Sequence, residues 1–368
     1  MKIYYWAPYF SKIATINAVL NSFKSIKIKN SDSKVLNTVG EWDILDVKDR
    51  VDITKNRFLF NSIKKTGFIR SRVFSIYVFL SSIKGLLRIF NEKKKTYLII
   101  HLITSLPIFI NFFKKNNNVK VILRISGYPQ LNIPRRFLWK YLAKKCFLVT
   151  APTEETMNRM IKNKIFKRNK MTILKDPIIK SVSNIKIKKN FKQRKKFLCV
   201  GRLTDQKNFS FIIHAFSKLN KENYDFSLSI VGEGEKRKDL SNLISTYKLN
   251  NKIKLCGYQK NIEQYYKTHD CLIVSSKWED PGFVLIEAAN FGMPIISSNC
   301  PSGPTELLDN GNLGYLYKVG DFSSFKRSFL GFLQESESVL IKKTKKLKKK
   351  LKDYTFKEHS KNLKKLLN

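Results

Sequence analysis

Two carboxylates, Glu279 and Glu287, flank Asp280-Pro281-Gly282 and the apolar run Phe283-Val284-Leu285-Ile286. The apolar stretch Cys271 to Val274 just before them reads as a strand, so Ser275 to Gly282 is expected to be a strand-to-helix loop. Phe283 to Asn290 then reads as a helix, with Val284, Glu287 and Ala288 on adjacent helical positions. Pro281 fits at or just before the first turn, where its missing N–H costs nothing. A helix that begins at the C-terminal end of a parallel strand points free N–H groups and a positive dipole end into the crevice there, which suits a phosphate. Gly282, Phe283 and Val284 would supply that end. Glu287, about one turn further on, can reach a neutral hydroxyl such as a ribose but would repel the phosphate. Glu279, in the loop, is free to face something else. The arrangement suits a nucleoside diphosphate with a sugar attached.

A second set follows another buried strand and precedes another helix: Gly201-Arg202-Leu203-Thr204-Asp205-Gln206-Lys207-Asn208. Gly201 lets the chain turn sharply, and Arg202 and Lys207 then flank one crevice mouth. A guanidinium grips phosphate bidentately and an ammonium adds a point charge. Val231-Gly232-Glu233-Gly234-Glu235 also follows a strand, but the third glycine position of a dinucleotide fingerprint is Arg237, which argues against NAD. Tyr258, after Cys256-Gly257, is either a base contact or a packed aromatic. The sequence holds no Asp-x-Asp, no His/Cys cluster with zinc spacing and no phosphate-binding P-loop motif.

The Glu-x7-Glu spacing, Gly282, the Gly292-Met-Pro that follows and the Gly-Arg-Leu-x-x-x-Lys-Asn segment together resemble family-4 glycosyltransferases, retaining enzymes of the GT-B fold. The resemblance implies that Arg202 and Lys207 hold the donor diphosphate, that Glu279 contacts the donor sugar and that Glu287 contacts the ribose. It implies Gly201 and Tyr258 on the donor side, no metal or other cofactor, and retention of anomeric configuration. Ser302 to Glu306 resembles the loop and helix start that comes next. The strong matches lie between Phe197 and Tyr317. Pro281 departs from the pattern, since many members carry Phe there. In the first half, Pro8 to Thr15 takes the place of a glycine-rich loop without a glycine, and Ser126-Gly127 stands where many members have a histidine. Thr15, His101 and Ser126 are the remaining candidates for the acceptor and donor-sugar side. His101 ends a strand, where a histidine satisfied in the core is the commoner outcome.

These residues need strands and helices to hold them. Strands are expected at Ile3–Trp6, Tyr97–Leu102, Val119–Ile125, Phe147–Thr150, Phe197–Val200, Leu228–Val231, Ile253–Cys256 and Pro294–Ser297. Helical patterns alternate with them, which predicts an α/β protein with two doubly wound Rossmann-like domains; the resemblance implies that they face each other across a cleft. The expected domains are 1–180 and 197–354, with a lysine-rich linker at 181–196. The resemblance implies that a last helix, 355–368, returns to the first domain.

The 368 residues carry 71 Lys and Arg against 28 Asp and Glu, a formal charge of +43. That excess calls for an anionic partner or reflects compositional bias on solvated faces. With the resemblance it implies a lipid-linked or anionic glycan acceptor, as in lipopolysaccharide or capsule assembly, and peripheral contact with an anionic membrane. Arg70 to Phe90 is the expected membrane-facing helix, or else a helix packed under a loop. Nucleic acid binding is the rival that charge alone favours, but no recognition motif supports it. A nucleotide-sugar epimerase is the rival within the same fold. Five dispersed cysteines read as reduced thiols. The opening residues lack a signal-peptide layout, and Thr96 to Phe113 is too polar to span a bilayer, so a cytoplasmic site at the inner membrane face is expected.

Overall fold

The structure is a computed structural model that describes residues 1–8, 14–27, 32–38, 40–45, 47–54, 68–101, 106–114, 116–129, 133–184 and 195–368; of these, the side chains of 14, 15, 44, 68–75 and 135 are not described. The chain divides into two units, Met1–Pro177 with Phe356–Asn368, and Ile178–Thr355.

The first unit runs β1 (Lys2–Trp6), α1 (Ala14–Lys27), β2 (Asp32–Asn37), β3 (Arg50–Asp52), α2 (Phe68–Phe90), β4 (Thr96–His101), α3 (Leu106–Phe113), β5 (Val119–Arg124), α4 (Ile133–Leu142), β6 (Leu148–Ala151), α5 (Glu154–Lys162) and β7 (Met171–Ile173). Its strands form one sheet in the order β3-β2-β1-β4-β5-β6-β7, and every pairing is parallel. Successive side chains leave opposite faces of a strand. Accordingly Tyr4, Trp6, Leu98, Ile100, Val121 and Leu123 enter one core while Ile3, Tyr5, Tyr97, Ile99 and Ile122 enter the other. Both faces of the sheet are covered, as parallel sheets require.

The second unit runs β8 (Lys196–Val200), α6 (Phe209–Lys221), β9 (Ser227–Val231), α7 (Arg237–Thr246), β10 (Ile253–Gly257), α8 (Ile262–Thr268), β11 (Cys271–Val274), α9 (Phe283–Asn290), β12 (Ile295–Ser298), α10 (Pro304–Leu307), β13 (Tyr315–Tyr317), α11 (Phe322–Gln334) and α12 (Glu337–Lys350). The sheet order is β10-β9-β8-β11-β12-β13, again all parallel. Phe197, Cys199, Leu228 and Ile273 pack on one face and Leu198, Val231, Leu272 and Val274 on the other. In such a sheet the crevice that takes ligands opens outside the C-terminal ends of the two strands where the order reverses. Here those strands are β8 and β11.

The last helix, α13 (Phe356–Leu367), belongs to the first unit, where Leu363 and Leu367 join the core formed by Ile16, Val19 and Phe23 of α1. A buried polar network fixes it. Arg124 pairs with Asp176, and its Nη1 donates to Ser22 Oγ at 2.8 Å. His359 Nδ1 lies 2.8 Å from the Lys175 carbonyl and must donate to it, so Nε2 is an acceptor, 2.8 Å from Ser22 Oγ. The Ser22 hydroxyl proton therefore points at His359, and Tyr5 donates to Ser22 at 3.2 Å.

The two-sheet α/β class expected from the sequence is the observed one. The second unit begins at Ile178, whose N–H bonds the Tyr354 carbonyl at 2.9 Å, rather than after a linker at 181–196. Ser183 likewise bonds Asn290. Residues 185–194 of the expected linker lie outside the described residues. The short strands β2, β3, β7 and β13 had no counterpart in the sequence expectations.

Candidate active site

Lys207 and Glu279 meet at the β8–β11 switch point. Their ion pair is nearly enclosed, with side chains 15% and 6% exposed. Three further bonds tie the loop after β8 to the loop after β11. Lys277 N–H donates to the Gln206 carbonyl at 2.8 Å, Gln206 Nε2 to the Trp278 carbonyl at 2.9 Å, and Ser275 Oγ to the Lys207 carbonyl at 2.6 Å. Ser276 Oγ donates to the same Glu279 Oε1, at 2.5 Å. The Lys207 stem lies over Gly201, where an added Cβ would sit 3.0 Å from Lys207 Cε. The loops after β8 and β9 touch as well: a Cβ on Gly232 would fall 1.8 Å from the Gly201 carbonyl oxygen. Only glycine fits there.

Helix α9 begins at Phe283, with Gly282 as N-cap at φ 84°, a left-handed conformation that suits glycine. No side chain caps this end, so its first N–H groups are directed outward with the positive end of the dipole. Glu287, one turn in, accepts from the Tyr266 hydroxyl at 2.9 Å through Oε2, and Oε1 has no hydrogen-bond partner among the described residues. Burial raises the Glu287 pKa, while the Tyr266 bond and the nearby Lys207 charge oppose the rise. Tyr266 is pushed well above the ordinary phenol value by burial and by the Glu287 charge.

The Arg202 side chain is exposed and makes no hydrogen bond or ion pair among the described residues, while the residue's carbonyl accepts from the Thr204 N–H at 2.8 Å. Arg202 follows Gly201 on the loop after β8, the loop that also carries Lys207. Tyr258 stands at the end of β10, two strands from β8, with 73% of its surface exposed. It is not a packed aromatic.

The first-unit candidates are separately placed. His101 ends β4, is fully buried and stacks on Tyr5 with ring centres 5.8 Å apart. Neither ring nitrogen has a hydrogen-bond partner among the described residues. Burial drives its pKa well below the usual histidine value, helped by Arg124 and His359. Ser126 follows β5, and its hydroxyl is buried without a hydrogen bond among the described residues. Thr15 lies in the first turn of α1, and its side chain is outside the described ones. Most of the preceding loop, 9–13, also lies outside the described residues.

Sequence reasoning missed Ser276, Gln206 and Tyr266. The paired serines after β11 carried a signal, since small hydroxyls at a strand end commonly bond loop atoms. Tyr266 carried none, because its partner lies 21 residues onward in another helix. Among the described residues no three His, Cys, Asp or Glu side chains are grouped to hold a metal. No helix of the described residues is long and apolar enough to cross a membrane.

Residues 181–355 match the family described as "Glycosyl transferases group 1". An uncharacterized glycosyltransferase of Methanocaldococcus jannaschii is 28% identical over 353 residues, 82% of this chain and 84% of that protein. The N-acetylgalactosamine-N,N'-diacetylbacillosaminyl-diphospho-undecaprenol 4-alpha-N-acetylgalactosaminyltransferase of Campylobacter jejuni is 26% identical over 212 residues, 56% of each chain. HepE of Anabaena, solved in complex with UDP, superposes with a TM-score of 0.75 at 14% identity, covering 99% of both chains. That likeness shows the fold.

Proposed function

Because the chain is a glycosyltransferase of the GT-B fold, with residues 181–355 in the group 1 family, we propose that it moves a sugar from a nucleoside-diphosphate sugar to a glycan hydroxyl, retaining the anomeric configuration. The Lys207–Glu279 pair, set beside the uncapped start of α9, carries this reading. Transfer releases a diphosphate, so the barrier falls where fixed donors meet the developing negative charge. Lys207 has three N–H donors and gives one to Glu279, which leaves two for phosphate oxygens. Arg202 adds a bidentate grip, and the α9 N–H groups add the helix end.

Glu279, anchored by Lys207 and Ser276, contacts the sugar hydroxyls. Glu287 offers Oε1 to the ribose, and Tyr258 faces the base. The acceptor hydroxyl attacks on the side the diphosphate leaves, which retains configuration. These cations do the work a metal would do, so the reaction is metal-independent. Uridine is the first base to try, since HepE is solved with UDP. The Campylobacter relative is named for an acceptor on diphospho-undecaprenol. A lipid-linked or lipopolysaccharide- or capsule-type glycan is therefore the proposed acceptor, met at the cytoplasmic face of an anionic membrane.

Melting the protein with UDP-, GDP-, ADP- and dTDP-sugars tests the donor, because a ligand bound only by the folded state raises Tm. A rise with one nucleotide, followed by transfer to a diphospholipid-linked glycan in EDTA, is expected. No shift with any of the four would end the proposal. Isomerised donor in the absence of acceptor would replace it with an epimerase.

A further inference from the structure

We propose that helices α3 and α4 of the first unit form a membrane-docking face, with the groove beside them taking the headgroups of anionic phospholipids. The exposed side chains of α4 are apolar along one stripe: Ile133, Phe137 and Tyr141, at spacing i, i+4 and i+8, are 74%, 70% and 53% exposed. Phe109 and Phe113 form the matching pair on α3, in edge contact at 4.8 Å. Phe112 joins the two helices, with its ring 5.3 Å from Phe113 and 4.7 Å from Tyr141. The inner faces of the same helices are spent on the core, through Ile108, Ile110, Trp139 and Leu142. Exposed aromatics gathered in one patch mark an interaction surface.

Charge selects the occupant. From Leu106 to Lys170 the only carboxylates are Glu154 and Glu155, amid many Lys and Arg. Lys144 and Lys145 stand over the Tyr141 and Phe112 rings at 5.5 and 5.7 Å, so cations rim the aromatics. Beside them runs a groove of about 580 Å³ with an apolar floor that includes Ile165 and Phe166 and a wall of Lys140, Lys144, Lys164, Lys167, Arg168 and Lys170. Among the described residues no carboxylate lines it. A basic groove that adjoins an aromatic stripe fits a bilayer interface: rings settle at headgroup depth and lysines meet the phosphates. A second copy of this chain would bring a like charge of +43 to the same face. The surface expected on α2 contributes less: Val78, Leu86, Ile89 and Phe90 of that helix are buried, with Ile76, Phe79 and Leu80 exposed.

The inference deepens the reading of a lipid-linked acceptor, and its test is kept apart from that reading. The full chain, without sugar nucleotide, is sedimented with phosphatidylcholine vesicles that do or do not contain phosphatidylglycerol. Binding is expected with phosphatidylglycerol only. It should fall about tenfold or more in Phe113→Ser/Phe137→Ser and in Lys144→Gln/Lys164→Asn/Lys167→Gln, with the parent's Tm and UDP-induced shift retained. Unchanged vesicle binding by both variants would overturn the proposal. So would retention on RNA but not on vesicles, or a dimer in light scattering that Phe113→Ser/Phe137→Ser dissociates. Vesicle binding by a protein that shows no nucleotide shift would support this face while removing the transferase reading.

Discussion

Lys207 and Glu279, 72 residues apart, form a nearly enclosed ion pair at the point where the second sheet reverses its strand order. The pair sets the position of both side chains before any donor arrives. Lys207 is held over Gly201 and Glu279 is held by Ser276, so neither has to be ordered by the ligand.

Lys207→Ala should lower kcat about 100- to 1000-fold, the usual effect of removing one fixed donor to a developing oxyanion. Lys207→Arg should recover only part, because a planar fork presents its donors differently from a compact ammonium. Steady-state transfer rates check both. Rates within threefold of the parent in the alanine variant would remove Lys207 from the chemistry.

Glu279→Gln keeps the bond from Ser276 but removes the charge opposite Lys207. Donor binding should persist, since the diphosphate then meets a freer ammonium, while turnover falls. Calorimetry with UDP and transfer assays separate the two effects. Loss of UDP binding with normal turnover of bound donor would contradict the assignment.

The donor KM should rise as pH falls through the Glu287 pKa, which burial sets above the ordinary glutamate value. The ionised carboxylate is the better acceptor for a ribose hydroxyl, so protonation weakens the contact. Glu287→Gln should abolish this acid limb and leave a uniformly higher KM. The stability sign is opposite to that of a salt-bridged carboxylate. The folded state binds the proton more tightly than the unfolded one, so this group's contribution declines as pH rises from the unfolded to the folded pKa.

His101 and His359 are both held well below the usual histidine pKa by burial first and by the Arg124 charge second. The groups facing His359 are Ser22, the Lys175 carbonyl and Arg124, whose own partner is Asp176. The unfolded chain, with histidines near 6.5, takes up protons that the folded chain refuses. Stability should therefore be full above about pH 6.5 and fall as acid carries the pH toward the depressed values. Urea midpoints across that range measure the slope. His359→Gln, which still offers Ser22 an acceptor, should make it shallower.

Asp176→Ala should cost roughly 3–5 kcal/mol, because it leaves the Arg124 guanidinium buried without its counter-charge. Gly232→Ala should cost roughly 1–3 kcal/mol, since its methyl would overlap the Gly201 carbonyl. Denaturant unfolding measures each. A neutral Gly232→Ala would show that the β8 and β9 loops can part.

Much of this was legible in the residues. Buried central strands are continuous apolar runs, so β11 and the helices α9 and α13 lie where the pattern placed them. The edge and short strands escaped for a physical reason. Asp32–Asn37 has four polar residues of six, and Tyr315–Tyr317 is three residues long, so neighbours rather than composition make them strands. The local spacing of Arg202, Lys207, Glu279 and Glu287 was visible because each lies on the loop or helix that follows a buried strand. The Tyr266 partner of Glu287 was not, since it comes from another helix and reaches the carboxylate through space. His101 illustrates the same limit: the sequence gives its position at a strand end, and only packing on Tyr5 shows that it is sealed in the core.

The placement of α13 means that the first unit is not one continuous stretch of polypeptide. An expression fragment stopped at Pro177 would leave Ile16, Val19 and Phe23 without Leu363 and Leu367, and it should aggregate. Ile179 and Thr355 pair as a β-bridge, so the two points where the chain passes between units are neighbours. A short synthetic splice from Pro177 to Phe356 would then yield a self-sufficient half, whereas a single protease cut could not release one.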